Sequence, residues 1–365
     1  MKKLSLCSLL GCCLFLLLGW SACRSRHNVA DGRHYYEKFP QTVQLRSVDI
    51  PLNEDSVLLR YPFRVRVNRE KTRAVILDYH HDSCFYHLFT YPDFRYLCSF
   101  GKRGQGPEET LSGDDISWDD SLIWTVDANR REWQVFRPQG RGVELVRQID
   151  LTATLRPLNF VLADDSLAYI PDYSGRSRLL CVNRRGEITA TMGHIPTSET
   201  HISSEAALSQ AWRGFLSFNP RNGVLAVATQ LGEVLEIYHP ADSLNPIVVQ
   251  GPAGEPSFRN VDGYAVPDGI MGFSDVQVGD SCIYAIFQGQ SFDEIGHILS
   301  EGRVQNDGGR FIYVFSLSGE PICNYELDCK VSGFYVDEAR RQIVATRVNS
   351  DRQVVSFELP VKGNE

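Results

Sequence analysis

The sequence predicts an all-β protein, and within that class a six-bladed β-propeller of four-stranded blades. Two observations carry this prediction. Short runs rich in β-branched and aromatic residues recur between turn residues, and no long helical period interrupts them. Six of these runs follow one another at intervals of 45 to 61 residues, which is close to the period of a propeller blade.

A polar turn comes immediately before most of the six recurring runs. Asp-Ser precedes the second, third and fifth runs, and Asn-Gly precedes the fourth. Both dipeptides favour tight turns, so each run is expected to be the second strand of a blade and to follow a hairpin turn. The six runs are 74–78, 122–126, 167–170, 224–228, 283–287 and 343–346.

The number of strands in the first and last repeats indicates how the ring closes. The first repeat offers four strands and the last only three, while one spare strand, 42–48, precedes the first blade. Joining the spare strand to the last blade closes the ring and leaves no open seam, which protects the sheet edges from aggregation. A pair of β-sandwiches would not account for the sixfold count. The strands used are 63–67, 74–78, 84–89 and 95–99 in the first repeat, and 333–336, 343–347 and 354–358 in the last.

The first 22 residues have the layout of a secretory signal. Two lysines precede an apolar run at 4–20, and the small residues Ser21 and Ala22 come just before Cys23. This end resembles a bacterial lipobox, which predicts that Cys23 is lipidated and becomes the new N-terminus. An uncleaved membrane anchor is the alternative, because the apolar run is nearly long enough to span a bilayer.

These observations predict three segments. Residues 1–22 are expected to be a lipoprotein signal peptide, 23–40 a flexible tether after the lipidated cysteine, and 41–365 the six-bladed propeller. The whole chain carries a net charge of −8. An acidic chain without a basic stripe is a poor candidate for binding nucleic acid, because neutralising phosphates requires clustered Lys and Arg.

Cysteine spacing predicts neither a metal centre nor a cofactor. Four of the ten cysteines lie in the export segment, and the other six form no CxxC pair. We expect these six to be mostly buried thiols that pack as small hydrophobic residues. A disulfide between Cys84 and Cys98, across a predicted hairpin, stays open as an alternative in an oxidising compartment. The six are Cys84, Cys98, Cys181, Cys282, Cys323 and Cys329.

Two stretches carry a family resemblance. Phe-Gly-Lys-Arg-Gly-Gln-Gly-Pro-Glu-Glu at 100–109 resembles the Gly-x-x-Gly-x-Gly-Pro-x-Glu segment of the TolB-like six-bladed propeller lipoproteins of Bacteroidetes, and 272–276 with 282–289 is similar too. The resemblance implies a propeller in the cell envelope, at the outer membrane, and it supplies no catalytic residue. Arg24-Ser25-Arg26 does not match the acidic pair that often accompanies surface display in that phylum, so a periplasmic and a surface orientation both stay open.

The longest connections fall on one predicted face. Strands alternate in direction within a blade, so the loops after the second and fourth strands emerge together, and the turns after the first and third strands emerge on the opposite face, called the turn face below. Three long connections, 192–213, 251–272 and 289–309, belong to the first group and define what we call the long-loop face. Long loops on a compact scaffold are usually functional or disordered. We therefore predict a binding site on this face, at the mouth of the central channel.

Residues of the long-loop face suit recognition, because aromatic side chains fill interface pockets or stack on sugar rings. The alternative is that these residues only hold the loops against the blades. The candidate ligand-binding residues are Trp212, Phe258, Arg259, Tyr264, Phe292, His297 and Arg303.

Catalytic motifs are absent from the sequence: it contains no Gly-x-Ser-x-Gly elbow and no HExxH. We therefore expect an envelope module that binds a protein, peptide or glycan, and assign no catalytic residue. The alternative is an envelope hydrolase or lyase acting on glycans or peptides, whose residues are scattered over several blades around the channel mouth. Asp275, His201, His297 and Glu294 are the residues that could converge there. A structural role in an envelope complex is a third possibility, since propellers host many unrelated functions.

Overall fold

The computed structural model describes residues 32–52, 57–119, 121–164, 166–241, 243–304 and 307–360. Six sheets surround a central channel. The predicted signal peptide and Cys23 lie outside the described residues. None of the helices in the described part of the chain combines the length and the apolar character needed to cross a membrane.

Three short strands precede the first blade, and blades 1 to 3 are four-stranded antiparallel sheets. The leading strands are β1 (Arg33–Tyr35), β2 (Thr42–Leu45) and β3 (Val48–Asp49). Blade 1 contains β4 (Pro62–Val67), β5 (Arg73–Asp78), β6 (Cys84–Thr90) and β7 (Tyr96–Lys102). Blade 2 contains β8 (Asp115–Asp119), β9 (Leu122–Asp127), β10 (Glu132–Gln139) and β11 (Gly142–Asp150). Blade 3 contains β12 (Val161–Leu162), β13 (Leu167–Pro171), β14 (Leu179–Asn183) and β15 (Ile188–Met192).

Blades 4 to 6 repeat this arrangement, with two helices and a small hairpin between their strands. Helix α1 (Glu205–Ala211) precedes blade 4, which contains β16 (Gly214–Asn219), β17 (Val224–Thr229), β18 (Val234–His239) and β19 (Ser243–Gln250). The hairpin β20 (Phe258–Val261) and β21 (Tyr264–Pro267) follows. Blade 5 contains β22 (Phe273–Val278), β23 (Cys282–Phe287), helix α2 (Phe292–Ser300), β24 (Gly309–Ser316) and β25 (Pro321–Val331). Blade 6 contains β26 (Gly333–Asp337), β27 (Gln342–Thr346) and β28 (Val354–Glu358).

The N-terminal segment closes the ring, which confirms the prediction of a six-bladed propeller closed by a strand from the N-terminus. The pairing that completes blade 6 is made by β3, which lies antiparallel to β28. The earlier part of the predicted strand, β2, instead pairs in parallel with β25 at the outer edge of blade 5. Leu45 explains this position, because its side chain is buried in the core between blades 5 and 6.

Residues 33–39, predicted as part of a flexible tether, are packed against the propeller. Strand β1 pairs in parallel with β19 of blade 4. The Tyr36 hydroxyl donates a hydrogen bond of 2.7 Å to the buried Glu233 carboxylate, and the Phe39 ring lies 4.6 Å from that of Tyr313. The ordered body therefore begins before residue 41, because two aromatic side chains find apolar sites on blades 4 and 5.

Hydrophobic side chains fill the space between neighbouring blades. Six clusters lie at the six blade-to-blade contacts. Between blades 2 and 3, for example, Trp133 packs 5.6 Å from both Trp124 and Phe160, measured between ring centroids. Each blade thus buries both of its faces, which accounts for the continuous apolar runs of the second strands.

Polar side chains cover the unpaired inner edges of the first strands. The first strand of each blade borders the channel, so its outward N–H and C=O groups have no strand partner. Ser217 of blade 4 accepts a bond from the Val278 amide at 2.9 Å. Gln277 of blade 5 accepts from the Val336 amide at 2.7 Å and donates to the Val336 carbonyl at 2.9 Å. These contacts tie each blade to the next around the channel.

None of the cysteines in the described residues forms a disulfide. In the hairpin of blade 1, Cys98 lies opposite Leu88 and Cys84 lies opposite Lys102. The Cys84–Cys98 disulfide is therefore not formed, because the strand register places the two thiols at different rungs of the ladder.

Candidate functional site

A cavity of about 580 Å³ occupies the end of the central channel at the turn face. The first strand of every blade contributes to its wall, and the turns that follow these strands form its mouth. The lining is mixed, with apolar and aromatic side chains between charged ones. One lining residue from each blade, in order, is Val67, Trp118, Leu162, Phe218, Val278 and Tyr335.

A buried ion network crosses the channel at the floor of this cavity. An Nη atom of Arg64 lies 2.6 Å from Asp115, and its Nε lies 3.8 Å from Asp275. Arg66 donates two hydrogen bonds to Asp275, at 2.8 and 2.9 Å. Asp275 also accepts from the Phe334 amide of blade 6 at 3.3 Å. Two arginines of blade 1 are thereby fixed to carboxylates of blades 2 and 5.

Electrostatic attraction keeps Arg64 and Asp275 charged despite their burial. Burial alone would raise the pKa of Asp275, but Arg66 and Arg64 hold it below its usual value. Burial alone would lower the pKa of Arg64, but Asp115 and Asp275 raise it above its usual value. Buried charges persist in this way only when they are paired and hydrogen-bonded.

Ion pairs between neighbouring blades surround the mouth of the cavity. Arg184 of blade 3 lies 3.5 Å from Asp119 of blade 2. Arg221 of blade 4 lies 2.8 Å from Asp280 of blade 5. Lys71 of blade 1 lies 2.5 Å from Asp337 of blade 6. The mouth therefore alternates in charge and is fixed by contacts that bridge the blades.

The structure brings the three long connections together on the face opposite the cavity. Asn260 in the hairpin donates to Ser203 in the first connection at 2.9 Å. The amide of Phe292, at the start of α2, donates to the Gly269 carbonyl at 3.1 Å. Arg33 of β1 reaches the same face, where it lies 2.7 Å from Glu255 and also donates to the Pro196 carbonyl.

Trp212 and Phe258 belong to one packed cluster beneath this face. Trp212 is only 1% exposed and ends α1, whose Leu208 and Ala211 are buried beside it. Phe258 packs against the same cluster. In this structure Trp212 holds the first connection against blade 4, which is the packing role that the sequence left open as an alternative.

The other predicted residues are spread over the surface of the long-loop face. Tyr264 is 67% exposed at the tip of the hairpin. Arg259 lies 3.7 Å from Asp268, and Arg303 lies 2.6 Å from Glu301. Phe292 and His297 belong to α2, in which no residue is buried. None of them lines the cavity on the turn face, and their role in binding stays a prediction.

The sequence predicts a binding site at the long-loop end of the channel, whereas the cavity opens at the turn-face end. At the long-loop end, the rings of Phe63 and Tyr79 stack 4.7 Å apart. Below them, the Arg64 guanidinium lies 5.3 Å from Phe63 and 5.0 Å from Phe215. Aromatic packing thus occupies that end, and the open volume lies at the turn face. The sequence feature that could have indicated the cavity is the presence of arginines and carboxylates within otherwise apolar first strands.

The residues considered for catalysis do not meet. Asp275 is fully buried at the floor of the cavity, whereas His201, Glu294 and His297 are exposed on the long-loop face. Glu294 caps α2 by accepting a bond of 2.9 Å from the Ser291 amide. Within the described residues, no group of three or more His, Cys, Asp or Glu side chains is placed to hold a metal ion.

Comparison with known proteins identifies the family. The model of the TolB-like 6-blade propeller-like family matches residues 38–339. The chain belongs to this family of six-bladed propellers.

Two solved structures share the fold. A Bacteroides fragilis protein described as exported superposes with a TM-score of 0.55 at 10% identity, over 89% of this chain and 97% of that one. A member of the DUF4221 family from Bacteroides vulgatus gives 0.53 at 10% identity, over 86% and 97%. These similarities show the fold alone. No curated protein matches the chain.

Proposed function

We propose that the protein is a lipid-anchored binding module of the cell envelope, held at the outer membrane through Cys23, whose long-loop face docks a protein partner. The secretory layout of residues 1–22 and the cysteine after them support export and anchoring. The Bacteroides fragilis protein of the same fold, described as exported, supports an envelope location.

The observation that carries this proposal is a set of exposed apolar side chains on the long-loop face. Tyr264 is 67% exposed, Leu299 57% and Val304 73%. Single exposed apolar residues are common, but several on one face indicate an interaction surface. Tyrosine is also enriched among the residues that dominate binding energy at interfaces.

Charge on this face selects the kind of partner. The three long connections contain nine acidic and three basic residues, a net charge of −6, against −8 for the whole chain. A partner surface with Lys or Arg around an apolar centre would complement it and would be steered towards it. Anionic lipid surfaces and nucleic acids would be repelled.

Helix α2 has the features of an element that is presented to a partner. Its capping box, formed by Ser291 and Glu294, stabilises the first turn without tertiary packing. Phe292, Ile295 and Leu299 recur at the i, i+3 and i+7 positions, which places them on one side of the helix. This is the spacing by which an amphipathic helix binds a groove of another protein.

The two alternatives receive less support. A free peptide or a glycan is best held in a concave pocket, whereas Tyr264, Leu299 and Val304 are each more than half exposed. A hydrolase or lyase needs an acid and a base close to one substrate, and Asp275 is already committed to Arg64 and Arg66.

Site-specific cross-linking in the native envelope tests the proposal. A photoreactive residue replaces Val304 on the long-loop face, and a matched control replaces Ala339, which is exposed at the mouth of the cavity on the turn face. We expect one protein adduct from position 304 and not from position 339, with a reduced yield in Tyr264→Ala and at high salt. Equal adducts from both positions, or an adduct insensitive to Tyr264→Ala, would contradict docking at this face.

A further inference from the structure

We propose that the cavity on the turn face is a second binding site, and that its ligand is an uncharged saccharide. This site is separate from the protein-docking face, because the two open at opposite ends of the channel. Its volume, about 580 Å³, lies within the range of roughly 300–1,000 Å³ that is typical of small-molecule sites.

Charge balance in the cavity argues against a charged ligand. Five basic and five acidic residues line it, and several are already committed to partners from another blade. Arg66 is held by Asp275, and Arg221 by Asp280. An anion or a cation would compete with one of these pairs, whereas a hydroxyl group can donate to the carboxylate and accept from the guanidinium without separating them.

Aromatic surface supplies the second part of the recognition chemistry. Trp118, Phe218 and Tyr335 are half-buried, so each presents part of its ring to the cavity. Phe160 and Phe334 are fully buried at the floor. A sugar ring has an apolar face of C–H groups and a rim of hydroxyls, and it matches a wall in which aromatic rings alternate with hydrogen-bonding groups.

The inner edges of the first strands argue against an extended peptide. A peptide binds a strand edge by pairing with its free N–H and C=O groups. Here the Ser217 hydroxyl accepts a hydrogen bond from the Val278 amide, and the Asp275 carboxylate accepts one from the Phe334 amide. The Gln277 side chain bonds to both the amide and the carbonyl of Val336. Edge groups that a peptide would need are already occupied by side chains of the neighbouring blade.

The walls are also preorganised. Trp118 donates its indole N–H to the Arg66 carbonyl of blade 1 at 3.2 Å, which fixes its ring across the contact between blades. The arginines of the floor are fixed by the bonds to Asp115 and Asp275. A site that does not reorganise on binding loses less conformational entropy.

Calorimetric titration of the full chain in detergent tests this proposal. The probes are three neutral trisaccharides, maltotriose, cellotriose and tri-N-acetylchitotriose, with trigalacturonate as a charged probe and trialanine as a peptide, each up to about 10 mM. We expect at least one neutral trisaccharide to bind, and neither of the other two probes. Failure of all three neutral probes, or binding of trigalacturonate or trialanine that responds to the cavity variants below, would overturn the proposal.

Two substitutions locate the binding. Ala339→Trp fills the mouth at an exposed position without removing packing, and it is expected to abolish saccharide binding. Trp118→Ala is expected to weaken binding at least about tenfold, with most of it retained in Trp118→Phe. Saccharide binding that persists in Ala339→Trp would overturn the assignment to the cavity, even where Trp118→Ala fails to fold.

Tyr264→Ala is the matched control, because it removes an aromatic side chain from the opposite face. It should leave saccharide binding unchanged while reducing the cross-link from position 304. Ala339→Trp should do the reverse. The two sites can therefore fail independently of each other.

Discussion

Neutralising Asp275 should destabilise the propeller by several kcal/mol, because this carboxylate compensates the buried Arg64 and the half-buried Arg66. Asp275 is fully buried, 2.8 Å from Arg66 and 3.8 Å from Arg64. The Val276 and Phe334 amides bond to different oxygens of Asp275, so Asp275→Asn keeps the side-chain shape but removes the charge and one of these two acceptors. Removing one member of a buried ion pair costs about 3–5 kcal/mol, since it leaves the partner buried and uncompensated.

Urea unfolding followed by tryptophan fluorescence measures this cost. With an m-value of about 3 kcal/mol/M, the midpoint of Asp275→Asn should fall by roughly 1 M or more. Asp280→Asn is the control, because the Arg221–Asp280 pair is 60% and 46% exposed and should contribute no more than about 1 kcal/mol. Adding Arg66→Met to Asp275→Asn should restore part of the stability. Equal midpoints for the two single variants would refute the claim that the buried network is energetically distinct from the rim.

Three further predictions concern the core, the response to pH and the anchor. Trp212→Ala should cost about 3–5 kcal/mol of unfolding free energy, as for other buried aromatic residues, whereas Tyr264→Ala should stay within about 0.5 kcal/mol; the same urea titration separates them. Burial and the neighbouring His81 lower the pKa of His87 to about 3, so the unfolded chain binds the proton more readily. Stability should therefore fall as the pH drops from about 6.5 towards about 3, by up to about 1.4 kcal/mol per pH unit, and His87→Gln should flatten that slope. Cys23→Ser should abolish incorporation of a labelled fatty acid into the protein, and incorporation that persists in this variant would contradict lipidation at Cys23.

The blade count could be predicted from the sequence because each blade repeats a local pattern. A polar turn followed by a buried strand recurs at regular intervals, and neither feature depends on distant contacts. The closing strand could be predicted by counting strands, because the last repeat has three strands and one spare strand precedes the first blade. The pairing of β1 and β2 with the outer edges of blades 4 and 5 did not follow, because parallel pairing to an outer strand leaves no periodic signal. Tyr36 and Phe39, aromatic residues in an otherwise polar segment, were the available indication.

The candidate site was harder to predict because it is assembled from residues far apart in the chain. Arg66 and Asp275 are 209 positions apart, and each lies in a short strand that reads as ordinary core. Loop length predicts a site on the long-loop face, but the structure shows Trp212 buried in the packing between the first connection and blade 4. The short turns that form the cavity mouth carry little sequence signal of their own. The charged residues of these turns form ion pairs only in the folded ring, where Arg184 lies beside Asp119 and Arg221 beside Asp280.

The ion network at the channel floor is better explained by geometry than by stability. At the same level of the channel, blade 1 supplies Arg64 and blades 2 and 5 supply Asp115 and Asp275, whereas blades 4 and 6 supply Phe215 and Phe334. An all-aromatic floor would avoid the cost of burying charges, and well-packed apolar replacements are often neutral or stabilising. Unlike apolar packing, the paired charges fix side-chain orientation. The bonds from Arg66 to Asp275 and from Arg64 to Asp115 each hold a guanidinium in one orientation. In the proposed saccharide site, a fixed polar floor beneath half-buried aromatic rings would contribute to recognition, because it lies where a ligand entering from the turn face would end.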